Sequence, residues 1–464
     1  MDNDSQKGGT ARCPGASWDD FVAADTRPVP EFMAKEVYQY RGSKPLDAAR
    51  YTSPEFFKAE IDKMWPNVWQ MAAREEEMPD PGDFVVYENA GRSYLVTRQE
   101  DGSVRAFHNV CLHRGRKLRA ESGQAEIFHC PYHGFAWNTD GSLNNIPCRW
   151  DFSHLKDEKM KLPEAETGRW GGYIFVRENP GGPSLEEYLA PLPEHFKRWP
   201  HEQRTTSVWV AKVIHGNWKA VMEAFMEAWH NYCTHPQITP FVADANTRYN
   251  TYGDYTNLAL SAQGVLSAQM DQTGKTEQWI VDQYSKFTGN SNAYRARTGV
   301  VGLTVPEGST ARKVLAEVAR NQGAQFYANS LDHASDAEMM DAIYYCVFPN
   351  FEPWGGFMPS ISYRFRPWPD QDNTLMEVRI LTPVPEGQSI PRAVPMKFLK
   401  DGEPWSSSPE IGPSLGQVLD QDVANIEQVQ AGLKVSKNGK LQLGDYMEIR
   451  MRQFHETLDK YLAG

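Results

Sequence analysis

Cys111-Leu112-His113-Arg114-Gly115, answered by Cys130-Pro131-Tyr132-His133-Gly134, is the stretch whose reading decides the fold. Each segment offers one soft thiolate and one imidazole, so two loops folded together form a cage of two cysteines and two histidines. Such a donor set holds a transition metal.

How the donors are shared out separates the candidate metals. A zinc finger draws both cysteines from one segment and both histidines from another. Here each loop carries a mixed pair, which suits a Rieske [2Fe–2S] cluster, with two cysteines on one iron and two histidines on the other. Neutral imidazoles in place of two thiolates make the cluster less negative and raise its potential. A structural zinc site and scattered core Cys and His are the plainer alternatives, and the spacing argues against both.

The pattern C-x-H, sixteen intervening residues (114 to 129), then C-x-x-H resembles the Rieske motif of the Rieske-type non-haem iron aromatic-ring-hydroxylating oxygenases, large (α) subunit. The resemblance runs over residues 50 to 240 and again over 340 to 433. It implies an α+β protein in which a small antiparallel β Rieske domain joins an α+β catalytic domain with a curved antiparallel sheet and helices, of the helix-grip type. The expected division is an N-terminal arm over 1–50, the Rieske domain over 51–177 and a mononuclear iron catalytic domain over 178–464.

A chain of 464 residues, 40% apolar and 23% charged, can bury two or three cores. Its formal charge of −12 opposes a nucleic-acid partner, whose phosphates it would repel. Six cysteines stand at 13, 111, 130, 148, 233 and 346, and the four outside the motif show no close pairing, so a reducing cytoplasm is expected. Met1-Asp2-Asn3-Asp4-Ser5 lacks the basic start and apolar run of a signal peptide, and no apolar run approaches the ~18 residues of a membrane span.

Residues 1 to 30 are polar and Gly-rich, as in a tail or subunit-wrapping arm. Ser53-Pro54-Glu55 should open a helix with Phe57, Ile61, Met64 and Trp65 on its buried face, ending at Pro66. Strands are expected at 84–87, 93–97 and 173–176, with hairpin turns at Asp101-Gly102 and Asp140-Gly141. Residues 178 to 204 read as a linker with a short helix near Ser184–Glu187. Further helices are expected over 310–321, 414–433 and 445–461, and 362–366 with 375–381 alternate as strands of a hairpin. Residues 265–340 are the least readable and are expected to shape a pocket entrance.

A second centre lies in the stretch from Asn217 to Pro236. Good helix formers dominate it up to His230, which places Glu223, Glu227 and His230 on one helix face. His235 is five residues past His230, and Pro236 pushes it out of the helical region, so the two imidazoles can converge. A mononuclear Fe(II) of the 2-His-1-carboxylate type needs one more oxygen ligand. Periodicity does not separate Asp420 from Asp422; the resemblance, with its late Asp on a helix of this character, selects Asp422.

From the same resemblance come a terminal oxygenase component and its partners. Electrons from NAD(P)H reach it through a reductase, with or without a ferredoxin, and a homotrimer or higher homo-oligomer forms, with or without a β-subunit. O₂ and a small organic molecule, aromatic by preference, are the substrates, and neither membrane nor nucleic acid is a partner. Cys111, His113, Cys130 and His133 bind the cluster, His230, His235 and Asp422 the iron, and Glu227, Asn231 and Glu223 are the catalytic candidates. Glu227 stands where many members have Asp bridging the two centres across a subunit interface, a feature shared with some that oxidise quaternary amines. Oxidative N- or O-demethylation is therefore the alternative reaction, and a non-catalytic iron–sulfur carrier the alternative class. Ala224, Ala228, Asn231, Phe348 and Asn350 are candidate pocket residues. Tyr132 and His129 are candidate cluster covers, and Arg114, Arg116, Lys117 and Arg119 form a basic patch beside the first loop.

Overall fold

The computed structural model describes residues 13, 15–289, 300–327 and 331–463. The start of the expected arm and parts of the 265–340 segment therefore lie outside the described residues. Two sheets make the first domain. The larger runs Gln70–Arg74, Tyr173–Arg177, Glu164–Trp170, Val104–His108, Arg92–Arg98, Asp83–Asn89, with Gly123–Gln124 at the edge, every neighbour antiparallel. The smaller comprises Ile127–His129, Ala136–Asn138 and Leu143–Asn145, and its first hairpin tip carries the second ligand loop. The first ligand loop follows Val104–His108.

The two loops close with the same bonds. Cys111 N–H donates to the Arg116 carbonyl and Gly115 N–H to the Cys111 carbonyl; Cys130 and Gly134 repeat this with Phe135 and Cys130. Gly115 and Gly134 take left-handed φ of 75° and 78°, which L side chains avoid. At Gly115 a Cβ would meet nothing within 4 Å, so backbone conformation rather than crowding calls for glycine there.

The catalytic domain is built on a sheet ordered Arg248–Tyr252, Thr256–Ser261, Ala342–Val347, Phe351–Pro353, Ser360–Pro367, Thr374–Pro383, Arg204–Ile214, with Lys397–Phe398 parallel at the edge. The α+β organisation expected from the sequence is present. The helices Ala311–Gly323, Pro413–Val435 and Ile449–Ala463 answer the three expected late in the chain. No helix among the described residues is long and apolar enough to cross a membrane.

Several elements differ from expectation. The described part of the 1–50 stretch is not a free tail but packs on its own catalytic domain. Ser17 caps the helix Trp18–Ala23, the Trp18 indole donates to Asp341, and Leu46–Asp47 pairs with Lys440–Leu441. Ser53 caps its helix as expected, but the helix widens into a π turn at Glu60–Met64. Glu60 faces inward there, 2.5 Å from the buried Lys219 ammonium. The 178–204 linker holds two short helices, Leu185–Leu189 and Leu192–His195, with Tyr188, Leu189 and Leu192 buried.

The hairpin Ser360–Pro367 and Thr374–Pro383 joins the domains. Its alternation puts Ile361, Tyr363 and Phe365 into the main core and Arg364, Arg366, Glu377 and Arg379 on the other face. That charged face meets the first domain instead of water. Arg364 donates to the carbonyls of Met71 and Ala72, Arg366 to that of Glu88, and Arg379 pairs with Glu77 at 2.5 Å. Glu377 sits 2.7 Å from both Arg364 and Arg366 with no exposed side-chain surface. Burial works to raise its carboxyl, but Arg364, Arg366 and Arg379 outweigh it and hold it below the ordinary carboxylate range.

Removing that carboxylate leaves three arginines facing one another without a counter-ion, so Glu377→Gln should destabilise the fold by about 3–5 kcal/mol, read by chemical denaturation at neutral pH. Because the folded value is depressed, the stabilisation is present above the ordinary glutamate pKa and is lost as pH falls through the folded one. The gap between parent and variant should therefore close toward strongly acidic pH.

Candidate active site

Asn217 begins the segment that carries the two candidate iron histidines, its side chain accepting from Lys219 N–H at 3.1 Å, and the helix Trp218–Glu223 is buried throughout. The helix does not run on to His230. Arg450 takes the Met226 carbonyl at 2.9 Å and the Tyr249 hydroxyl accepts from Ala228 N–H at 3.0 Å, occupying backbone groups that a continuing helix would pair internally. Glu223, Glu227 and His230 therefore do not share a regular helical face. Glu223 turns toward Tyr51 (2.9 Å) and His455 (2.8 Å), whereas Glu227 and His230 face a cavity.

After His230 one short helical turn, Asn231–Thr234, ends at His235 with φ −124° and ψ 58°, outside the helical region as Pro236 requires. One donor atom each from His230, His235 and Asp422 lies within 4.8 Å of the others. Asp422 Oδ1 is 2.9 Å from His235 Nε2 and 3.6 Å from His230 Nε2. Behind them, His230 Nδ1 meets Glu227 Oε1 at 2.5 Å and His235 Nδ1 meets Gln421 Oε1 at 2.9 Å. Both acceptors can only accept, so each imidazole carries a proton at Nδ1, which leaves Nε2 as the nitrogen that would coordinate a metal held with Asp422. Glu227 also accepts from His230 N–H at 3.1 Å. Two imidazole nitrogens and one carboxylate on one side of a cavity suit a mononuclear iron with open positions.

Asp420, two residues before Asp422 on the helix Pro413–Val435, points elsewhere and caps Trp405 N–H (2.6 Å) and Ser406 N–H (3.1 Å). At about 100° per residue the two carboxylates cannot face the same way.

In the first domain like meets like. The rings of His113 and His133 are 4.7 Å apart, and the Cys111 thiol lies within hydrogen-bonding reach of Cys130. His113 Nδ1 is buried with no protein partner, an orphan that a metal would satisfy. Phe135 stacks on His113 at 4.6 Å and Phe152 meets it edge-on. These residues fit a [2Fe–2S] cluster with cysteines on one iron and histidines on the other. His129 and His133 are exposed, as is Tyr132 under Arg114. The basic patch is divided: Arg119 braces the carbonyls of Ile127 and His129 and Lys117 pairs with Glu88, while Arg114 and Arg116 stay exposed.

Beside the histidine–carboxylate group lies a cavity of about 170 Å³. Its walls are largely aromatic and apolar: Phe225, Phe241, Phe287, Tyr344, Trp354 and Tyr363, with Ile238, Val242, Ile361 and Leu419. Ala224, Ala228 and Asn231 line it as expected. Phe348 and Asn350 do not, since Phe348 packs on Phe454 and Tyr461 and Asn350 binds the Phe365 carbonyl. Gln421 and Gln263 were not foreseen. Adjacency to Asp422 could have suggested the first, and no local pattern marks the second.

Family models match both domains: "Rieske [2Fe-2S] domain" over residues 68–156 and "Ring hydroxylating alpha subunit (catalytic domain)" over residues 194–464. The chain belongs to the ring-hydroxylating α-subunit family. Relatives of this α-subunit include the carnitine monooxygenase oxygenase subunit of Escherichia coli K12, 26% identical over 46% of the chain and 57% of the relative. The glycine betaine monooxygenase oxygenase subunit of Pseudomonas aeruginosa is 33% identical over 40% and 44%, and the chlorobenzene dioxygenase subunit alpha of a Cupriavidus species 31% over 40% and 42%. The chain thus spans about half the length of the curated relatives it matches. Among solved structures the same fold recurs in the quaternary ammonium Rieske monooxygenase CntA with L-carnitine (TM-score 0.63, 16% identity, 91% of this chain, 96% of that one). It recurs in naphthalene 1,2-dioxygenase with indole bound (0.61, 18%, 93% and 94%).

The geometry separates the two late aspartates by experiment. Asp422→Ala should abolish mononuclear iron, measured as total iron after Fe(II) reconstitution, while acid-labile sulfide and the Rieske EPR signal persist. Asp420→Ala should keep all the iron.

Proposed function

We propose that this α-subunit is the terminal oxygenase of a multicomponent Rieske system, hydroxylating an organic, ring-bearing substrate with O₂. The observation that carries the reading is the His230–His235–Asp422 group opening onto the aromatic cavity. When bound, the cluster supplies single electrons and the mononuclear iron supplies a site at which O₂ is activated.

The chain's own residues do the positioning. Cys111, Cys130, His113 and His133 hold the cluster, and exposed His133 is the exit for the electron. Glu227 and Gln421 fix the tautomers and ring orientations of the iron histidines. The aromatic walls exclude water and hold a flat substrate against the open side of the metal.

Two aromatic-flanked histidines support a head-to-tail homo-oligomer, with a trimer as the closed ring. Trp229 and Tyr232, 43% and 45% exposed, adjoin His230, while Tyr132 and Trp150, 55% and 79% exposed, lie in the domain that presents His133. Such heterologous contacts close only by rotation into a ring, and Glu227 would lie at the crossing point. Arg114 and Arg116 would steer an acidic reductase or ferredoxin that relays electrons from NAD(P)H. A cytoplasmic setting accords with six cysteines that are all free thiols.

Oxidative demethylation of a quaternary amine is the second reading; two of the relatives are monooxygenases named for the quaternary amines carnitine and glycine betaine, and aromatic walls attract cations. The lining includes no Lys or Arg among the described residues, so a carboxylate-bearing amine would find no counter-charge in the cavity.

Turnover with a reductase, NADH and ¹⁸O₂ decides between them. Label in a ring hydroxyl of naphthalene supports the first reading, formaldehyde from choline the second, and oxygen uptake with neither would sink both. Glu227→Gln and Gln421→Leu should each lower product formation about 10- to 100-fold with cluster content unchanged.

A further inference from the structure

The cavity holds a polar group that neither the metal nor the protein uses. Gln263 is 4% exposed and lines it. It lies two residues beyond Ser261, which also lines the cavity while the intervening Ala262 does not, as expected of side chains that alternate along extended chain. Its backbone is fixed: the N–H donates to Asp341 Oδ1 at 2.9 Å and the carbonyl accepts from Arg312 Nη1 at 3.0 Å. Asp25 of the N-terminal segment holds Arg312 from the far side at 2.7 Å, so the residue is anchored on a buried ion cluster.

Its side chain is treated differently. The carboxamide oxygen is buried with no hydrogen-bond partner. Neighbouring hydroxyls on the same wall are already committed, Ser261 with Thr247 at 2.5 Å and Thr288 to the Tyr284 carbonyl at 2.9 Å. A buried, unpaired carboxamide costs stability that a leucine or methionine of similar volume would not. A residue held this firmly, with its polar end unspent among aromatic rings, is arranged for a partner that arrives with the ligand.

We propose that Gln263 is a specificity-determining residue that hydrogen-bonds a neutral polar substituent, a hydroxyl, on an otherwise apolar ring substrate. A hydroxyl can both donate to the amide oxygen and accept from the amide nitrogen, so either orientation of the carboxamide serves. An anionic substituent would lack a counter-ion in this cavity, and an unsubstituted hydrocarbon would leave the amide oxygen unpaired. This assignment rests on the ring-substrate reading above and narrows it to hydroxylated rings.

The test is equilibrium dialysis of 2-naphthol, naphthalene and choline against the iron-loaded, anaerobic protein and its Gln263→Met variant, which keeps side-chain volume. Parent protein should bind 2-naphthol roughly ten-fold more tightly than naphthalene, and the variant should lose that ratio while binding naphthalene as well or better. A variant that weakens both ligands equally, or a parent that does not distinguish them, overturns the role of Gln263 and leaves the ring-substrate reading standing. Binding of choline with neither aromatic overturns that reading itself. Gln263→Glu provides a check against misfolding, since it keeps the acceptor and should retain more of the 2-naphthol preference than Gln263→Met.

Discussion

A single buried carboxylate, Glu377, holds three arginines on the outer face of the catalytic sheet, and those arginines hold the first domain. Other donors of these arginines reach the backbone carbonyls of Met71, Ala72 and Glu88 and the Glu77 side chain. Charges this deep tolerate little displacement, because a lost partner leaves an uncompensated ion in low dielectric. The consequence is a fixed orientation between the domain that carries the two Cys-His loops and the sheet that backs the candidate iron ligands.

On the opposite face of the same strands the constraint is packing. Tyr363 and Ile361 form a wall of the cavity, and Phe225 lies 4.9 Å from the Tyr363 ring. The segment of the two candidate iron histidines meets that wall as a broken helix, opened by Arg450 and Tyr249, and the break frees His230 to turn toward Asp422. Glu227 and Gln421 then lock the imidazoles from behind. Position thus passes from the sheet, through backbone bonds to distant side chains, to the atoms that would bind metal.

Much of this was legible in the chain because it is encoded over short spans. The Cys-x-His and Cys-x-x-His loops, the Ser53 cap and the proline after His235 all act within a few residues of themselves. The alternation at Ser362–Arg366 was equally legible as a strand. Its charged face reads locally like one for solvent, and only the second domain makes it an interior. The helix expected through His230 failed for a comparable reason: its interruption is caused by a residue 21 positions away and another 224 away.

The sequence by itself determined the donor types and their pairing within each loop, since ligand chemistry and spacing are local properties, and the two-domain α+β plan was what the family resemblance carried by those motifs implied. Periodicity left Asp420 and Asp422 open and only the family resemblance chose Asp422; tertiary structure turns Asp422 and not Asp420 to the histidines, and it alone decided that Glu223 serves a buried Tyr51–His455 contact and that the Gln263 carboxamide oxygen stands unpaired in the cavity wall. Each of those outcomes depends on which way a side chain points relative to an element far along the chain. Direction of that kind is set by packing against the partner, which no short stretch of sequence contains.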